Sequence, residues 1–140
     1  MQYNVEYDTI KPIVEEEISR VATRSYAEGG SLYDAIRVTS RDESTLERLF
    51  SDALTTIQTR FVEFIHCIVE NELDFNLPDL PCVYEDGAKR ELNRFIEYSM
   101  VAQWLEEKGN QESTLYTNRA AAALNKAERM LLSRGNLERV

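Results

Sequence analysis

Residues 42–70 read DESTLERLFSDALTTIQTRFVEFIHCIVE, and the phasing of their apolar side chains decides the fold class. Leu46, Phe50, Ala53, Ile57, Phe61, Phe64 and Ile68 follow at steps of 4, 3, 4, 4, 3 and 4, which is the helical period. Leu49, Leu54, Val62, Ile65 and Val69 widen the stripe beyond what a surface helix needs. The spacing predicts one long helix over residues 43–70, capped by Asp42, with its second half from Phe61 to Val69 buried on most sides.

Immediately C-terminal, residues 71–87 read NELDFNLPDLPCVYEDG. Pro78 and Pro81 forbid a helix across them, so a long ordered loop is expected over 71–86. Leu73, Phe75, Leu77, Leu80, Val83 and Tyr84 make it too apolar for a solvated connection. It either covers the end of its own bundle or projects into a partner.

A third helix is expected over about 86–108, with Ala88, Leu92, Phe95, Ser99 and Ala102 as its core line. Gly109–Asn110 suits a left-handed helix end. A fourth helix over about 112–134 carries Tyr116, Ala120, Ala123, Leu124, Ala127, Met130 and Leu131 inward, and Gly135 is read as its stop. The short turn between them makes an antiparallel hairpin, and the run Ala120–Ala123 admits close approach. N-terminal to the opening stretch, a helix over about 10–28 has Pro12 in its first turn and Ile10, Ile13, Val14, Ile18, Val21 and Ala22 on one face. A short helical turn fits 31–41. Only five Gly and three Pro occur in 140 residues, so the elements are few and long. The expected class is all-α: one domain, a bundle of about four helices with one long ordered loop between the second and third.

The formal charge is −9, which disfavours sequence-independent nucleic-acid binding. The charge is segregated. Residues 1–107 hold 22 acids and 10 bases, giving −12, whereas 108–140 hold 3 acids and 6 bases, giving +3. From Phe61 to Ala88 there are seven acids and no base. No stretch approaches 18 uninterrupted apolar residues, and the first residues lack the basic and apolar regions of a signal peptide, so no membrane association is expected.

Catalytic chemistry finds little footing. Glu63-Phe-Ile-His66 has the spacing that places two metal ligands on one helix face, but a di-iron site needs a second such motif and two further Glu, and the chain has one His. Cys67 and Cys82 fall short of a structural zinc set. There is no Gly-rich phosphate loop and no nucleophile elbow. No enzyme, no metal and no cofactor are expected. Trp104, Tyr98 and Tyr116 read first as core, and otherwise as anchors of an oligomer interface.

The order of these features carries a resemblance. An apolar loop from Leu77-Pro78 to Pro81 precedes a helix with Tyr98-x-x-Val101-x-x-Trp104-Leu105, and an Ala-rich helix then ends Leu131-x-x-Arg134. This resembles small all-helical proteins encoded among the virion-structure genes of tailed phages and prophages of Bacteroidetes, which look like head–tail connector (adaptor) proteins. The likeness covers most of the chain in helix order and loop placement. It implies a homo-oligomeric ring, expected to be a dodecamer. The ring would bind the portal protein on one side and a tail or stopper protein on the other. DNA would pass only through its channel, and the protein would reside in the virion after assembly in the host bacterial cytoplasm. Candidate interface residues are Phe75, Leu77, Pro78, Leu80, Pro81 and Tyr84 from the loop, and Arg129 and Arg134 from the basic last helix. The alternative is a non-enzymatic helical module of phage or bacterium that docks one protein partner.

Overall fold

The stripe of Leu46, Leu49, Phe50, Ala53, Leu54 and Ile57 does form a helix, but it stops at Arg60. The structure, a computed structural model, describes residues 1–29, 38–69, 71–77 and 80–138; the side chains of 24–29, 40, 66, 67 and 133–138 lie outside that description. In chain order the elements are β1 (Gln2–Asn4), α1 (Tyr7–Gly29), a 3-10 turn (Ser40–Asp42), α2 (Glu43–Arg60), β2 (Ile65–Val69), β3 (Glu72–Phe75), α3 (Cys82–Glu107) and α4 (Ser113–Glu138). The chain is 74% helical, a four-helix bundle with a small three-stranded sheet.

The expected helix over 43–70 is therefore corrected in its second half. Phe61 closes α2 through its N–H to the Ile57 carbonyl at 3.1 Å, and the Phe64 and Ile65 amides then both turn back to the Phe61 carbonyl. Six of the nine residues from Phe61 to Val69 are aromatic or β-branched, types that lose rotamer freedom in a helix and pack well on a pleated surface. A partner strand lies next door in what was expected to be loop: β3 turns Leu73 and Phe75 inward and keeps Glu72 and Asp74 half-buried. Phe61 serves both elements, buried at the foot of α2 with its ring edge-to-face on Phe75, centroids 5.8 Å apart.

The sheet order is β1-β3-β2, antiparallel throughout. Tyr3 pairs with Leu73, and Leu73 pairs on its other side with Ile68. Between Ile65 and Cys67 the register of β2 slips by one residue, a bulge. The Tyr3 hydroxyl donates to Asn93 Oδ1 at 2.6 Å, tying the sheet to α3.

α3 is the hub, and each of the other three helices packs on it. It begins one turn before the expected position, with Pro81 as its N-cap at φ −59° and ψ 143°. Gly109 at φ 69° ends the helix pair's first arm, and the Asn110 amide reaches back to the Leu105 carbonyl at 2.9 Å. Ala88 and Ala102 on α3, with Ala120, Ala123 and Ala127 on α4, are buried and let the two helices run close. Gly87 extends that seam: a Cβ there would stand 2.8 Å from Met130 Sδ.

Three smaller expectations change. α1 starts at Tyr7, so Pro12 falls in the second turn and leaves the Asp8 carbonyl without its i+4 donor. Ile13 is exposed, while Ile10, Val14, Ile18, Val21 and Ala22 are buried. α4 runs through Gly135 to Glu138, since an interior Gly costs a helix only about 1 kcal/mol and does not by itself end it. Asp42 precedes α2 but turns its carboxylate back, accepting from the Thr39 amide at 2.7 Å and hydroxyl at 3.0 Å. Of the turn expected over 31–41, residues 31–37 lie outside the described residues. Among the described residues no helix is long and apolar enough to cross a membrane.

Candidate functional site

The apolar loop residues divide once β3 forms. Phe75 is 1% exposed and belongs to the core against Phe61, so it is withdrawn as a partner anchor. Leu80 is likewise buried, and Leu77 is half-buried against the same cluster. The fold itself needs these side chains, which is why so apolar a segment need not project outward. Pro81 is exposed as the cap of α3, and Tyr84 is exposed on its first turn beside the more open Val83. Pro78 lies outside the described residues. Arg129 is exposed on α4; Arg134 lies within α4, its side chain outside the described set.

The helical Glu63–His66 pair dissolves for the same reason as the helix that carried it. Glu63 is exposed in the turn before β2 and residue 66 is on the strand, so the i, i+3 geometry does not arise. Among the described residues no group of three His, Cys, Asp or Glu could hold a metal ion. Trp104 and Tyr116 are core residues, and Tyr98 is half-buried with its ring 6.2 Å from that of Tyr116. The Tyr116 hydroxyl donates to the Glu17 carboxylate and so fastens α4 to α1.

Of the two edge strands, β1 and β2, it is β2 that carries exposed large apolar side chains. Directly paired residues of an antiparallel sheet share a face, so Tyr3, Leu73 and Ile68 form one row on the core side. Tyr3 and Leu73 are buried, yet Ile68 is 50% exposed. Ile65 at the start of β2 still packs on the core, so it is the Ile68–Val69 end of the strand that reaches beyond it. Val69, on the opposite face, is 58% exposed, and Val62 at the head of the hairpin is 65% exposed. An edge strand presents unpaired N–H and C=O groups, and proteins usually blunt such an edge with Lys or Pro. This one offers Val and Ile, and its bulge is its single irregularity among the described residues.

The surroundings are acidic. Glu63 is exposed, and Glu72 and Asp74 are half-buried on β3. Beneath the sheet, burial raises the Glu97 carboxyl above the usual carboxylate range, and Arg94 only partly opposes this. Burial, and then Glu97, push the Tyr3 hydroxyl up as well. Glu91, buried on the same helix, accepts from Arg94 Nη1 at 2.8 Å. This arrangement can pair main chain with main chain, bury Val and Ile, and attract a positively charged surface.

Sequence reasoning missed Val62, Ile68 and Val69 as surface residues, because their 3–4 spacing from Phe61 and Phe64 imitated a helix. The signal available was the β-branched density of 61–69 next to the Leu73–Phe75 alternation. Comparison with protein-family models, with curated proteins and with solved structures finds no match to this chain.

Proposed function

We propose that this chain is a non-enzymatic structural subunit that assembles into a closed ring and serves as a head–tail connector of a tailed-phage virion. The overhanging β2 edge carries this reading. Ile68 and Val69, one on each face of the open β2 strand, and Val62 in the turn before it are exposed apolar side chains where a monomer has reason to place charge. A ring needs one heterologous contact repeated around an axis, and an apolar open edge is half of such a contact. The portal protein would lie on one side of the ring and a tail or stopper protein on the other. The net charge of −9 suits a channel that lets DNA pass without holding it. The chemistry required is contact alone, with no cofactor or metal.

Native mass spectrometry with electron microscopy of the purified protein tests the proposal. A closed ring, expected to be a dodecamer, supports it. A strict monomer at every concentration that forms a one-to-one complex with a single partner overturns it in favour of a regulatory docking module.

A further inference from the structure

We propose that the β2 edge of one copy seats the basic outer face of α4 of the next copy. This deepens the ring reading and rests on it, by naming the surface that occupies the open edge. The charges of the two parts are complementary, one wholly acidic and the other net basic. From Phe61 to Ala88 there are seven acids and no base, while residues 108–140 carry +3.

The periodicity of α4 locates the basic face. Tyr116, Ala120, Ala123, Leu124, Ala127 and Leu131 are buried, inward toward α3. Leu115, Arg119, Ala122, Lys126 and Arg129 recur at steps of 4, 3, 4 and 3, and every one of them is exposed. They form a continuous outer stripe of three cations with no acid among them. Leu115, 43% exposed, gives it an apolar end. Arg119 is held in place, its guanidinium 5.1 Å from the centroid of Tyr116 and 6.0 Å from that of Tyr98. Glu128, the one acid in this part of the helix, turns to another flank, where it receives Arg60 Nε at 2.6 Å.

The Arg60 contact also fixes where the two surfaces lie. Arg60 is the last residue of α2, so the hairpin that follows it emerges on the Glu128–Asn125 flank of α4. At 3.6 residues per turn Arg119 and Lys126 lie more than roughly 100° further round the helix, whereas Arg129 stands beside this flank and lines one depression with Arg60, Asn125 and Glu128. One copy therefore presents the Arg119–Lys126 part of the stripe on a different flank from the one where the hairpin emerges, and both can be engaged at once. That is the requirement for a head-to-tail contact that propagates, as opposed to a self-complementary pair. Long Arg and Lys stems can cover Val69, which shares the outer face with Glu72, while their charged ends meet Glu72 and donate to open carbonyls of the β2 edge, and Leu115 supplies a further apolar contact.

The test uses sedimentation equilibrium on the full chain and three variants, with circular dichroism to verify helix content. Ile68→Lys places a cation on the edge, and Lys126→Glu/Arg129→Glu reverses the stripe. Each is expected to weaken self-association by about ten-fold or more with helix content intact. Raised salt is expected to weaken the wild type in the same direction. The third variant, Glu63→Lys/Glu72→Lys, is expected to be weak alone but to associate when mixed with the α4 reversal variant. If the wild type assembles and neither edge nor stripe substitutions alter it, or if the mixed pair fails to associate, this contact is overturned and the ring reading stands. If the wild type is monomeric up to its solubility limit, both fall.

Discussion

Replacing Gly87 by Ala tests how α3 lies on α4. Ala is favoured over Gly in a helix interior by about 1 kcal/mol. The added Cβ, however, would stand 2.8 Å from Met130 Sδ and 3.2 Å from Cε, inside the roughly 3.5–4.0 Å of good carbon packing. Met130 must yield, and overpacking costs about 1–3 kcal/mol, with the low end appropriate to a flexible, half-buried thioether. The two contributions nearly cancel, so Gly87→Ala alone should be close to neutral. In a Met130→Ala background the obstruction is gone and the same substitution should stabilise by about 1 kcal/mol, or roughly 3–5 °C in Tm for a chain of this size. Urea and thermal unfolding of the four proteins of this double-mutant cycle read a coupling of about 1 kcal/mol. An equal gain from Gly87→Ala in both backgrounds would refute the reasoning, because Gly87 would then not face Met130.

Gly109→Ala has open space around it but must hold φ 69°, so it should cost about 1 kcal/mol from backbone strain alone, read as a lower Tm with unchanged helix content. Phe61→Ala and Leu92→Ala should each cost about 2–5 kcal/mol in urea unfolding, the usual range for emptying a buried site. Glu97 holds its proton more tightly in the folded state than in the unfolded one, so its contribution turns against the fold as pH rises through the carboxylate range. Glu97→Gln should therefore raise Tm at neutral pH, and the gain should fade as pH is lowered toward about 4. A gain of equal size across that range would contradict the assignment.

The helical half of the fold was legible because its signals are local and agree with one another. Leu46 to Ile57, Leu92 to Leu105 and Tyr116 to Leu131 keep one period over several turns, and Gly109 marks the break by its conformation. The sheet was not legible because two periods compete over nine residues. Phe61, Phe64 and Ile68 fit steps of three and four, and the strand reading of 65–69 becomes favourable only when Glu72–Phe75 pairs with it. The third strand depends on residues 2–4 meeting 72–74, a contact across half the chain that leaves no periodic trace. The same blindness governed the candidate surface. The apolar loop left two readings open, and Phe75 and Leu80 follow the one in which it covers its own bundle, whereas Val62, Ile68 and Val69 looked buried because the helix was carried too far. Arg129 remains on the surface where its position after Ala122 and Lys126 places it.

Amide hydrogen exchange across residues 62–69, followed as a function of protein concentration, tests the central claim most directly. The open edge of β2 should exchange freely in dilute monomer and gain protection in step with rising mass, together with the outer face of α4. If the assembled protein shows the same exchange at residues 62–69 as the monomer, the β2 edge is not the assembly surface and the account is contradicted.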